Sequence, residues 1–370
     1  MQGIAIRFAQ ALGFHRECVN QHLPPRDCLL RRRVWRTLYI LDRFQSAALG
    51  RPSAIKDGDW DDREPGANAE EDRLQVEMAG IAHILGDICQ EVYLQRAISC
   101  HAASALARRL QQWSDNLPLS LNIHALLEDK ARPYYSRHAL LRLHLAHLNA
   151  VILLTRPFFF YVVATAVTSE GASIVSPKES SKGTVARLAR ACVLSACRSV
   201  EIVQTLFVDN IRPARPPFLI YFMFLAGLIL LLEGYRDKSF LRNPSITSVK
   251  IIMRSYADAD PSARRFCRIF EDMETAIRDD QERKDNLQAR DILGELLSSK
   301  ERPNGDNPLP DFGTTSTQSP GDLQFILNGG SSVNPSTEGD FDFDFDTLSY
   351  WDSMVAGEWD FGGMLFNAEL

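Results

Sequence analysis

The segment RRRVWRTLYILDRFQSAALGRP, residues 31–52, predicts a long helix, and the way that helix packs decides the fold. Apolar side chains recur at three- and four-residue intervals, and Gly50 and Pro52 are typical of a helix end. One face of the helix carries Leu30, Val34, Leu38, Leu41 and Ala48, and a separate basic stripe carries Arg32, Arg36 and Arg43. We therefore expect the apolar face to pack in a core and the stripe to face solvent.

One acid in this helix, Asp42, lies beside the predicted core face. A buried carboxylate is costly unless it is paired, so we expect Arg31 or Arg51 to be its partner. The three arginines of the basic stripe are suited to phosphate, but any basic helix offers the same chemistry. The stripe alone therefore does not predict DNA binding.

Helical patterning continues to about residue 300, and we find no alternating strand series with hairpin turns. Ile4, Phe8 and Leu12 repeat at four-residue spacing in the first segment, which ends at Gly13. Further helices are predicted at 28–48, 72–114, 133–166, 184–210, 217–236 and 260–298, the last with an apolar stripe of Phe266, Phe270, Met273 and Ile277. The fold class is therefore all-α, an irregular multi-helix domain over residues 1–300 followed by a disordered acidic tail over 301–370.

The most apolar run, FLIYFMFLAGLILLL at residues 218–232, is 15 uncharged residues long. A membrane-spanning helix needs about 20 such residues. The run therefore predicts a buried core helix, and we expect no membrane partner.

Enzyme function finds no support, because the chain lacks the common nucleophile, zinc-protease and phosphate-binding motifs. His144 and His147 share a helix face without further local ligands, and the acids around Asp57 lack the spacing of a calcium loop. The seven cysteines are scattered and predict reduced, packed thiols. We predict no catalytic, cofactor or metal site and no cofactor in this chain.

Charge is distributed unevenly along the chain, whose net charge is −6. Residues 301–370 hold 13 acidic residues and one basic residue, a net −12, whereas the remainder holds 40 basic and 34 acidic residues, a net +6. Such asymmetry is typical of an interaction tail. One hypothesis is that the tail folds back on the basic stripe as self-inhibition.

The last 30 residues interleave eight aromatic with seven acidic residues. This composition predicts a disordered activation segment that folds on a partner, such as the transcription machinery or a coactivator. The candidate contact residues are Phe341, Phe343, Phe345, Trp351, Trp359 and Phe361. An inert solubilising tail and a terminal strand that docks on the body remain alternatives.

The ordered segments GIAIRFAQALGFHRE, RRRVWRTLYILDRFQSAALGRPSAI and DGDWDDREP resemble the regulatory domain of fungal zinc binuclear cluster transcription factors, the middle homology or xylanolytic-activator-type domain. The resemblance extends from residue 3 to about 240, and LHLAHLNAVILLTRPFF looks like a family helix that ends in Arg-Pro. Its signature residues here are Gly13, His15, Arg16, Arg32, Arg33, Val34, Trp35, Asp42, Arg43, Gly50, Arg51, Pro52, Arg156 and Pro157.

The resemblance implies a nuclear regulator of RNA polymerase II transcription with an all-α regulatory domain. Family members bind DNA through a separate cluster of six cysteines that holds two zinc ions, and this sequence contains no such cluster. It implies DNA contact only indirectly or through a missing N-terminal module, and a dimer or a related regulator as partner. If helices that precede residue 1 in the family are truncated here, the apolar stripe of Ile4, Phe8 and Leu12 should be partly uncovered.

Two other functions remain open at this stage. An all-α small-molecule sensor would need a large apolar pocket with convergent polar groups. A non-DNA-binding scaffold or inhibitory partner of a related regulator would need neither a pocket nor an activating tail.

Overall fold

The computed structural model describes residues 2–61, 70–95, 98–168, 179–209 and 217–298, and the predicted all-α class is confirmed there. No β-strand occurs among these residues. The helices are α1 (Gln2–Ala11), α2 (Glu17–Asn20), α3 (Pro25–Leu49), α4 (Glu70–Ile88), α5 (Cys100–Asp115), α6 (Ile123–Leu127), α7 (Tyr134–Thr168), α8 (Glu179–Val208), α9 (Pro217–Arg236), α10 (Pro244–Ala257) and α11 (Pro261–Ser298). Short 3-10 turns at Asp57–Asp59, Leu119–Leu121 and Lys238–Arg242 and a π-helical turn at Cys89–Leu94 join them.

The described chain forms two compact units, and the boundary between them, at Phe270 and Glu271, lies inside α11. In the first unit, α7 packs against α8, α4 and α9, while α10 covers α8 and α9. In the same unit α3 packs on α4, and α1 packs on α3. In the second unit Ile277 is buried, as the predicted stripe of α11 requires, while Phe266 and Phe270 are buried in the first unit.

The predicted core helix at 217–236 is confirmed, and its bounds are those of α9. Met223, Phe224 and Leu230 are fully buried in this helix. By length and composition alone α7, α8 and α9 are each long and apolar enough to cross a membrane, so the argument that the run is too short was wrong. In the fold, however, 78% of the most apolar stretch of α9 is buried against protein.

The predicted single helix at 72–114 is wrong, because two helices lie there. The π-helical turn ends α4, and Ser99 caps α5 by accepting a hydrogen bond from the Ala102 amide at 3.1 Å. The helix α10 was missed, although its signal is visible in the sequence. Asn243 caps it, Pro244 occupies its first turn, and Ile246, Val249 and Met253 follow at helical spacing.

The first helix leaves an apolar stripe uncovered, as expected. Ile4, Phe8 and Leu12 are 61%, 67% and 56% exposed, whereas Ile6 and Ala9 face the fold. The predicted tail lies outside the described residues, so the domain division at residue 300 stays a prediction.

Candidate functional site: the α3 signature and the adjoining cleft

The buried face of α3 is the one that carries the arginines, so the predicted orientation of this helix is wrong. Arg36 and Arg43 are 1% and 4% exposed, whereas Leu30 and Val34, assigned to the core, are 59% and 37% exposed. The residues of α3 that pack inside are Trp35, Arg36, Tyr39, Asp42, Arg43, Phe44 and Ala48. There is therefore no exposed basic stripe on α3 of the kind that the phosphate and self-inhibition hypotheses require.

Arg43 is buried because the 3-10 turn after α3 supplies its counter-charge. Its guanidinium donates to Asp57 Oδ1 at 2.7 Å and lies over the Tyr39 ring at 4.7 Å. The Tyr39 hydroxyl donates to the same oxygen at 2.6 Å, and His83 Nδ1 lies 3.3 Å from it. Burial opposes ionisation of Asp57, but these hydrogen bonds outweigh it, so the pKa of this carboxyl lies well below its usual range.

Asp42 does have partners, but neither Arg31 nor Arg51 is among them. Its carboxylate accepts the backbone N–H groups of Ala54 at 3.1 Å and Ile55 at 2.9 Å. These bonds hold the loop after α3 against the helix, and Ile55 is fully buried beneath them. Asp42 therefore fixes the backbone of the loop that follows α3, a role that a search of the sequence for a charged partner does not reveal.

Arginines at the start of α3 join it to the preceding helices. Arg32 pairs with Glu17 of α2, and Arg31 donates to Asn20 Oδ1 at 3.1 Å. Arg31 also donates to the Leu12 carbonyl at 2.9 Å. Arg33 pairs forward with Asp72 of α4 at 2.5 Å. The charged signature residues thus connect α1, α2, α3 and α4 rather than forming a surface.

Side-chain packing and backbone conformation fix the positions of the remaining signature residues. Trp35 is 1% exposed and packs against the His15 ring at 5.3 Å. Gly13 and Gly50 have φ of 72° and 60°, the left-handed conformation that ends a helix and favours glycine. Arg51 and Pro52 follow as exposed residues.

The expected helix end at Arg156 and Pro157 is wrong, because α7 continues through Pro157 to Thr168. Arg156 is 5% exposed and lies over the Tyr93 ring at 5.2 Å. The motif therefore packs inside a long helix of the core.

The predicted packing of the two histidines of α7 is confirmed. His144 Nε2 lies 3.0 Å from the Leu121 carbonyl, and His147 packs against the Trp113 ring at 5.2 Å. Burial lowers the pKa of His147 to about 4, so the ring is neutral at pH 7.

Among the described residues, Asp57, His83 and Asp87 form a group with metal-ligand geometry that sequence reasoning missed. Their ligand atoms lie within 4.8 Å of one another. Each carboxylate is already bound by an arginine, Asp57 by Arg43 and Asp87 by Arg109 at 2.6 Å. These guanidinium charges would repel an added cation, so the group works as an ion-pair cluster.

A cleft of about 1010 Å³ opens beside the signature helix, between α3, α4, α7 and α9. Its apolar lining includes Leu41, Phe44, Leu74, Met78, Phe218 and Phe222. Phe44 lies 5.8 Å from Phe218 and 6.1 Å from Phe222, ring centre to ring centre, so three aromatic rings form one wall.

Polar groups border this apolar surface. The Arg33–Asp72 pair lies on the α3–α4 side, where Gln75 Nε2 donates to the Thr37 hydroxyl at 2.8 Å. Arg142 lies on the wall that α7 forms. The cleft could not be predicted from the sequence, because its walls come from four helices spread over more than half of the chain.

Comparison with known proteins finds that this chain is similar to fungal regulators of transcription. The family described as fungal specific transcription factor domain matches residues 1–115. "Filamentous growth regulator 27" of Candida albicans is 29% identical over 299 residues, which cover 74% of this chain and 37% of that protein. "Activator of stress genes 1" of Saccharomyces cerevisiae is 31% identical over 183 residues, which cover 43% of this chain and 19% of that protein.

"Transcriptional activator protein acu-15" of Neurospora crassa is 28% identical over 205 residues, which cover 50% of this chain and 22% of that protein. The chain therefore spans only a fifth to about a third of the length of these relatives. No solved structure matches the chain.

Proposed function

We propose that the chain is the regulatory part of a fungal regulator of RNA polymerase II transcription, starting from the match of residues 1–115 to the family of fungal specific transcription factor domains. The observation that carries the proposal is the similarity to a curated regulator over 74% of the chain, well beyond the family match itself. Relatives named as activators support the same role. Such a protein acts in the nucleus and works by binding, not by catalysis.

The helical body has a structural and regulatory task in this proposal, and DNA contact is made elsewhere. Support comes from α3, where Arg36 and Arg43 are buried and Arg32 is paired with Glu17. Phosphate contact needs exposed cations, so these arginines are unsuited to it. A zinc cluster module of the kind that the family uses, or a related regulator bound as a dimer partner, would contact DNA.

The acidic tail recruits the transcription machinery or a coactivator. Its aromatic side chains supply the contact area, and its carboxylates prevent the segment from collapsing on itself. The residues proposed for this contact are Phe341, Phe343, Phe345, Trp351, Trp359 and Phe361, all outside the described part of the chain.

A reporter assay in a fungal host tests this activity. Residues 301–370 fused to a foreign DNA-binding domain should activate the reporter. Replacing Trp351, Trp359 and Phe361 with Ala should abolish activation, because the aromatic contacts are lost while the net charge is unchanged.

The matched control replaces Phe312 and Phe325 with Ala, since these rings lie in the same tail but outside its last 30 residues. The control should keep activation. A fusion that fails to activate, or a control that fails as completely as the triple variant, contradicts the proposed segment. Co-purification of the full chain with a related regulator, without activation, would instead favour the inhibitory partner.

A further inference from the structure

The cleft between α3, α4, α7 and α9 has the size and composition of a small-molecule site. Its volume of about 1010 Å³ lies at the upper end of ligand pockets, which are roughly 300–1,000 Å³. The wall of Phe44, Phe218 and Phe222 offers edges and faces to a flat apolar body.

One cation in the cleft has no counter-charge in the described part of the chain. The described residues that line the cleft include three arginines and two aspartates, one more positive charge than negative. Arg33 pairs with Asp72, and Arg132 donates to Asp129 at 3.4 Å. Arg142 forms no hydrogen bond or ion pair with any described residue, and it is the excess charge. Its side chain is exposed where it lines the cleft, although neighbouring protein lowers the pKa of its guanidinium. An anion in the cleft can therefore pair with a guanidinium that no described carboxylate already neutralises.

On the α3–α4 side, the cleft carries acceptors with unused capacity. Asp72 is fully buried, and its Oδ2 accepts no hydrogen bond from any described residue, because Arg33 binds only Oδ1. Gln75 Oε1 is also buried and unsatisfied among the described residues. A buried acceptor without a donor is costly, so a ligand that supplies an O–H or N–H gains binding energy there.

We propose that this cleft binds a small aromatic monocarboxylate that carries a hydrogen-bond donor at the end remote from its carboxylate. The carboxylate pairs with Arg142 on α7, the ring packs against the three phenylalanines, and the donor bonds to Asp72 Oδ2 or Gln75 Oε1. Binding joins α7 and α9 to the α3–α4 pair. Its use as an effector signal rests on the proposed function, whereas the binding itself does not.

The test uses the purified full chain and the fluorescent anion 8-anilinonaphthalene-1-sulfonate, followed by displacement with three related compounds. 6-Hydroxy-2-naphthoate has both polar ends, 2-naphthoate lacks the hydroxyl, and 6-hydroxy-2-naphthamide lacks the charge. We expect 6-hydroxy-2-naphthoate to displace the probe at the lowest concentration. Each simpler compound should bind about tenfold or more weakly, the scale of one hydrogen bond to a charged group.

Arg142→Met should weaken 6-hydroxy-2-naphthoate about tenfold or more and leave the neutral amide unchanged. Arg108→Met is the matched control, because Arg108 is an exposed arginine of α5 outside the cleft. Ala139→Phe fills the cleft from its α7 wall and should weaken all three compounds.

Equal affinity of the Arg142→Met and Arg108→Met variants for 6-hydroxy-2-naphthoate would overturn the proposal. Probe fluorescence that no naphthalene compound displaces, as expected for adsorption on the exposed stripe of α1, would also overturn it. Failure of the reporter assay with intact naphthoate binding would leave this site in place and remove only its proposed role in transcription.

Discussion

Two long helices of the first unit, α3 and α9, are both buried, yet opposite kinds of side chain hold them. In α9 the residues from Leu219 to Leu231 are buried and apolar apart from Gly227 and the Tyr221 hydroxyl. In α3 the buried face contains Asp42, Arg36 and Arg43 beside its aromatic residues. The apolar helix is stabilised by area removed from water, and the charged helix by partners from other segments.

This difference teaches where hydropathy indicates burial and where it misleads. A helix that is apolar all round has only one stable place in a folded chain, so hydropathy predicted α9 correctly. A mixed helix has two candidate faces, and the wrong one was chosen for α3 because arginines are usually exposed.

The apolar helix should be the more sensitive of the two to truncation. Phe224 is fully buried and stacks on Phe266 with ring centres 4.1 Å apart. Phe224→Ala should lower the free energy of unfolding by about 4 kcal/mol, since transfer and cavity costs add. Urea unfolding followed by circular dichroism measures it.

Phe8→Ala is the matched control, because Phe8 is 67% exposed, and its cost should stay under about 0.5 kcal/mol. Equal losses in the two variants would show that α9 is not held by packing.

The charged face of α3 should be nearly as sensitive at Arg43. Arg43→Met keeps the length of the side chain but leaves Asp57 without its guanidinium partner, so we expect a loss of about 3 kcal/mol. Arg26→Met removes an exposed arginine from the same helix and should cost under about 0.5 kcal/mol. A small loss at Arg43 would mean that α3, like α9, depends on its apolar contacts.

The partners of the charged residues in α3 explain which parts of the fold and of the candidate site could be predicted from the sequence and which could not. The all-α class, α9, α11 and the packed histidines follow from local pattern, since spacing and hydropathy are properties of one segment. The orientation of α3 depends on Glu17, Asp57 and Asp72, which belong to other segments. Similarly, the hydrogen-bond partners of Asp42 are backbone groups 12 and 13 residues away, which carry no side-chain signal.

A middle-sized effect is expected at Asp42, which binds backbone amides of the following loop, whereas the buried acid of α9, Glu233, binds Arg236 of its own helix. Asp42→Ala leaves the amides of Ala54 and Ile55 without their acceptor, and Ile55 is fully buried, so the loss should be about 2 kcal/mol. Asp42→Asn retains one acceptor oxygen and should cost about half as much. If Asn costs as much as Ala, the carboxylate acts through its charge and not by organising the loop.

The smallest expected effect is a pH dependence of stability, which separates the contribution of the Arg43–Asp57 ion pair from that of the rest of the fold. The folded-state pKa of Asp57 lies below its unfolded value near 4, so its stabilisation is complete above that value and is lost as the pH falls below it. Because Asp57 stays ionised in this range, the difference in unfolding free energy between the protein and Asp57→Asn should not decrease between pH 7 and pH 5, and it should shrink below pH 4. Both proteins weaken between pH 7 and pH 5, because the neutral His147 must gain a proton on unfolding, but that loss is common to both and cancels. A difference that already shrinks by pH 5 would mean that Asp57 titrates as an ordinary exposed carboxyl, and that Arg43 is buried without a firm counter-charge.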